Sequence, residues 1–166
     1  MSLDNRPHYS GGCQCGKVRF RVEGVLGEAS ICHCRMCQKA VGSFYLPLVS
    51  VRQAKVVWTR GERKRFHSSN YAWRGFCADC GTPLTYEAPD GMALSIAAFD
   101  DPSGIVPTIQ WGTEGKLPYV DGIPNLPGEH TMADIKSAPF LADLVSHQHP
   151  DHDTAEWPPV PVENRS

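Results

Sequence analysis

Residues 11–23 read GGCQCGKVRFRVE, and the second half of that stretch decides the fold class. Val18, Phe20 and Val22 alternate with Lys17, Arg19, Arg21 and Glu23, the period of a strand with one face in a core and the other toward water. Residues 43–49, 55–59, 84–87 and 92–99 are further β-branched, aromatic or apolar runs bounded by Gly, Pro, Asn or Asp, and each reads as a strand. The 15 glycines and 14 prolines among 166 residues favour short strands and turns over long helices. The expectation is a mainly β domain with little helix.

Only residues 132–145 carry a helical period, with Thr131 placed to cap it and Pro139 placed to break it. From Trp111 to Gly128 the chain carries prolines 118, 124 and 127 together with glycines 115, 122 and 128, which suits an extended loop over a sheet. HQHPDHD at 147–153 and WPPVPVENRS at 157–166 have no apolar pattern and read as a loosely held tail. No internal repeat is present.

The formal charge of -2 offers no broad cationic field for a nucleic-acid backbone. RGERKRF at 60–66 is locally basic but short, more a solvated strand or turn than an interface. Nothing approaches the roughly 18 apolar residues of a membrane span, and residues 1–10 lack an apolar signal core. These features lead us to expect a soluble, cytoplasmic protein that binds neither nucleic acid nor membrane.

Three groups account for all seven cysteines: Cys13 and Cys15 in GGCQCG, Cys32, Cys34 and Cys37 in CHCRMC, and Cys77 and Cys80 in FCADCG. An odd, tightly clustered set argues against a secreted disulfide framework. In a reducing compartment such thiols more often hold metal. Zn²⁺ takes four soft ligands tetrahedrally, and Cys-x-x-Cys followed by glycine forms a knuckle whose amides support two converging sulfurs. Residues 77–81 have that form. A Cys-x-Cys pair converges where the chain bends, and the glycines around Cys13 and Cys15 permit the bend.

Two partitions satisfy the count. In one, Cys13, Cys15, Cys77 and Cys80 close a structural site, and Cys32, Cys34 and Cys37 hold a second ion with one corner open, as catalytic zinc sites do. In the other, Cys77 and Cys80 join two members of the trio and leave Cys13 and Cys15 as a redox pair or buried thiols. Ligand counting favours the first. His33, between Cys32 and Cys34, projects away from both in an extended chain and reads as solvent-facing or backbone-bonded rather than as a fourth ligand.

The ordered blocks GGCQCGKVRF, CHCRMCQKAVGSFY, FCADCGTPLTY, FDDPSGIVP and QWGTEGKLPYVDGIPNLP resemble the glutathione-dependent formaldehyde-activating enzyme family, also described as CENP-V-like. The resemblance implies an Mss4-like, zinc-stabilised β fold over residues 11–128, preceded by a tail at 1–10 and followed by a partly irregular extension at 129–166. It implies a structural zinc on Cys13, Cys15, Cys77 and Cys80 and a catalytic zinc on Cys32, Cys34 and Cys37. It further implies a carbon-sulfur lyase-type reaction in which glutathione and formaldehyde form S-hydroxymethylglutathione.

Three thiolates make zinc a weaker Lewis acid toward water while it still accepts an incoming thiol, which biases such a centre toward sulfur substrates. Arg35, Lys39 and Arg74 lie near the cysteines in sequence, and His67, Tyr71 and Trp111 are candidates for a pocket; each has an equally ready reading as surface or core. The competing function is a non-catalytic zinc-stabilised binding or chaperone-like module, its second zinc sealed by His33, His67 or a partner.

Overall fold

The alternation at 17–23 becomes the middle of a small sheet. A computed structural model describes residues 7–134 and 136–157. In chain order the elements are β1 (His8–Gly12), β2 (Arg19–Glu23), β3 (Ala29–Cys32), α1 (Arg35–Val41), β4 (Leu46–Ser50), β5 (Lys55–Arg60), β6 (Lys64–His67), β7 (Trp73–Phe76), β8 (Pro83–Ala88), β9 (Gly91–Ser95) and β10 (Ile109–Trp111). Strands β1-β2-β5 form an antiparallel sheet, and β10-β3-β4-β9-β8-β7-β6 form a seven-stranded one in which β10 runs parallel to β3. The mainly β expectation holds.

One apolar cluster draws residues from both sheets. Phe20 and Val22 of β2 meet Val49, Leu84 and Leu94 of the larger sheet, and all of them are essentially inaccessible. Phe20 presents its edge to Phe99 and Trp58 at centroid distances of 5.2 and 6.0 Å. Cys13 and Cys77 belong to the same cluster, so the cysteine turns are built into the core.

The other face of β2 departs from the solvated reading. Arg19 is 3% exposed. Its guanidinium donates to both carboxylate oxygens of Asp100 at 2.7 and 2.6 Å and to Asp153 at 2.6 Å, and Asp100 also accepts from the Ser10 hydroxyl at 2.5 Å. Asp153 comes from the segment expected to hang loose. That expectation is corrected at 149–157: His149 is buried, its backbone N–H donates to the Gln14 carbonyl at 2.7 Å, and the Trp157 indole donates to the Cys15 carbonyl at 2.8 Å. Polar side chains and backbone groups hold this strap, so no apolar period betrays it. Residues 158–166 of the expected tail lie outside the described residues.

The helix expected over 132–145 is instead two 3-10 turns, Thr131–Asp134 and Pro139–Asp143, because Pro139 fits the start of a turn and lacks the N–H an ongoing helix requires. Residue 135 lies outside the described residues. The run 92–99 stops as a strand at Ser95 and turns through Ile96–Ala98. The loop 111–128 contains two short 3-10 turns, Thr113–Gly115 and Val120–Asn125. Among the described residues no helix is long and apolar enough to cross a membrane.

Burial alone would raise the Asp100 carboxyl, yet donation from Arg19 and Ser10 holds it below the usual carboxylate range. A carboxylate depressed in the folded state stabilises above its unfolded range and loses that contribution as pH falls. Asp100→Asn is expected to cost about 3 kcal/mol of unfolding free energy near neutral pH, against about 1 kcal/mol for the half-exposed Asp153→Asn. Denaturant titrations from about pH 7 to about pH 3 should show the wild type losing stability more steeply than Asp100→Asn.

Candidate metal centres

The first cysteine group closes across the two sheets. Cys13 and Cys15 lie in the turn between β1 and β2, and Cys77 and Cys80 in the turn between β7 and β8. All four sulfurs lie within 4.8 Å of one another, with Cys13–Cys15 at 3.6 Å and Cys15–Cys77 at 3.8 Å. A tetrahedral ion with metal–sulfur bonds of about 2.3 Å needs sulfurs about 3.8 Å apart, so the donor set fits. Backbone donors converge on it: Val18 N–H reaches the Cys13 sulfur at 3.2 Å, and Gly81 N–H closes the second knuckle on the Cys77 carbonyl at 2.9 Å.

Electrostatics divides this quartet. Burial pushes the Cys13 and Cys15 thiols up. Burial acts on Cys80 in the same direction, but the Thr82 hydroxyl and amide and the Cys15 amide outweigh it and bring the thiol down to about 6. Four mutually close thiolates repel one another, so the fully anionic array calls for a cation at its centre. The strap covers one side of it: a Cβ on Gly16, whose φ is +73°, would stand 2.3 Å from the His149 ring and 2.6 Å from Trp157.

The second group gathers separately. Cys32 ends β3, Cys34 caps α1 and accepts from Cys37 N–H at 3.4 Å, and Cys37 sits in the first turn. The three sulfurs lie within 4.8 Å of one another. Among the described residues no fourth Cys, His, Asp or Glu joins them. The grouping that places Cys77 and Cys80 with the trio is thus not the one the geometry brings together. His33 is neither ligand nor solvent-facing: it is 1% exposed and its Nε2 pairs with Gln110 at 2.9 Å. His67 stacks on Trp73 with a centroid distance of 4.2 Å.

The trio forms part of the wall of a cavity of about 770 Å³ with Met36, Tyr86, Trp111 and Arg74, a size typical of small-molecule sites. Arg74 donates to the Cys37 sulfur at 3.3 Å. Hydrogen bonding from Cys32, and from Arg74 against the cost of burial, holds Cys37 below the ordinary thiol range, while sharing with Cys37 and burial push Cys32 up. Of the other candidates, Trp111 lines the cavity, Tyr71 is exposed, Arg35 bonds Gln38 at 3.2 Å and Lys39 is exposed. In the basic run, Arg63 and Arg65 share Glu87.

Three supporting residues escaped the sequence reading. Gln38 is buried and donates to the carbonyls of His33 at 2.7 Å and Gly115 at 2.8 Å, fastening the trio loop to the loop after β10. Tyr86 faces Arg74 across the β7–β8 register, with the guanidinium carbon 5.2 Å from its ring. Gly112, at φ +62°, leaves room that a Cβ would fill 2.7 Å from the Cys34 amide. Helix α1 left one local signal in the sequence, Gly42, which ends it in the left-handed conformation. Gly112→Ala is expected to cost at least about 1–2 kcal/mol, the left-handed backbone alone accounting for that much before the clash with Cys34, read as a lowered thermal midpoint, and to loosen the trio loop without touching the quartet.

Comparison with known proteins follows the same outline. An 85-residue stretch of this chain is 28% identical to an uncharacterized lyase of Schizosaccharomyces pombe, covering 51% of this chain and 61% of that protein.

 This chain spans 61% of that relative's length. A crystal structure of a Rhodobacter sphaeroides protein superposes with a TM-score of 0.47 at 21% identity, covering 61% of this chain and 98% of that one. The family model for the glutathione-dependent formaldehyde-activating enzyme matches residues 8–114. That match takes in both cysteine groups and well over half of the chain, and the protein belongs to the glutathione-dependent formaldehyde-activating enzyme family.

Proposed function

We propose that this chain is a zinc-dependent enzyme of the carbon-sulfur lyase type that joins a thiol to a small aldehyde and runs the reverse cleavage. Glutathione and formaldehyde, giving S-hydroxymethylglutathione, are the pair that the family's name supports. The observation that carries the reading is a trio of thiols with no fourth protein ligand among the described residues, set in the wall of a cavity of about 770 Å³.

Cys13, Cys15, Cys77 and Cys80 would hold a structural zinc, and Cys32, Cys34 and Cys37 a second zinc. Zinc on the trio would supply an electrophilic position at which an incoming thiol loses its proton readily. In the addition, a sulfur–carbon bond forms as the carbonyl π bond breaks, and the thiol proton ends on the new hydroxyl, so no oxidant or reductant is consumed. Thiols add to formaldehyde without help, so orientation of the two reactants is the main demand on the chain. Trp111, Met36 and Tyr86 give the cavity apolar walls, while Ser68 and Ser69 offer polar groups to a peptide-like thiol. Seven unbridged cysteines suit a reducing compartment such as the cytoplasm.

Zinc quantitation and adduct exchange measured by NMR test the reading together. Wild type is expected to carry one zinc per cysteine group, and Cys34→Ser to lose one of the two along with turnover above the spontaneous rate, its thermal midpoint nearly unchanged. Turnover retained in a Cys34→Ser chain would overturn the assignment.

A further inference from the structure

Arg74 is a cation in an unusual position. It is 8% exposed, and among the described residues no carboxylate pairs with it, whereas the other buried arginine, Arg19, has Asp100 and Asp153. Its fixed partners are the Ser68 hydroxyl at 3.1 Å, the Tyr86 ring and the Cys37 sulfur at 3.3 Å. A guanidinium removed from water needs a compensating anion. The sulfur trio is the anion within reach.

We infer that Arg74 is the counter-cation of the trio, a positioning residue that keeps the centre receptive to a further anionic sulfur. The inference rests on the reading of the trio as a zinc site that takes up a thiol. Three thiolates around a divalent ion leave one net negative charge, which Arg74 balances. Without it, each arriving thiolate meets an already anionic centre. Its N–H···S bond also withdraws electron density from Cys37, and outer contacts of this kind commonly change affinity by about tenfold to a hundredfold.

The test uses the full chain loaded with cobalt in place of zinc, titrated with 2-mercaptoethanol and with mercaptoacetate while the visible spectrum is followed. Arg74→Met is expected to weaken both thiols by about tenfold or more, and Arg74→Lys, which keeps the charge, to stay within a few-fold of wild type. Equal binding by wild type and Arg74→Met would overturn the inference, as would Arg74→Lys weakening both thiols as much as Met does. Weakening confined to mercaptoacetate would overturn it too, making Arg74 a carboxylate receptor. If Arg74→Met fails to fold, the Arg74→Lys titration decides alone. A wild type that shows no thiol-dependent spectrum overturns the underlying zinc reading, an outcome distinct from any difference between variants.

Discussion

The convergence of four sulfurs from two distant turns is the constraint on which the rest of this structure depends. One pair belongs to the β1–β2 turn of the smaller sheet and the other to the β7–β8 turn of the larger. Cys15 and Cys77 are separated by 62 residues, so holding them together removes much of the freedom of the intervening chain. Because Cys13 and Cys77 are also core residues, any change in this clasp is felt by Phe20 and Leu84.

Strand β7 links the clasp to the cavity. Cys77 follows directly on its last residue, and Arg74, three positions earlier, reaches the sulfur of Cys37. The trio is braced from its other side by Gln38 and by the tight approach of Gly112. The cavity is therefore suspended between one strand fixed at the quartet and one loop fixed by buried amide contacts.

Much of this was legible along the chain because the signals were local. The alternation of Val18, Phe20 and Val22 reports a buried face directly, and the cysteine spacings report knuckles. What stayed hidden depends on partners far away in sequence. Arg19 reads as a solvated residue until Asp100 and Asp153 arrive, and His149 reads as part of a polar tail until it meets Gln14. Strands β3, β7 and β10 are too short to show a period, and α1 is capped by a cysteine rather than by a residue that ordinarily announces a helix.

The strap has a consequence for how the protein is made. Trp157 bonds the carbonyl of Cys15, 142 residues earlier, and ribosomes add about 5–20 residues per second. For roughly seven seconds or more of synthesis, the first cysteine pair stands without its cover, open to whichever metal or oxidant the nascent chain encounters.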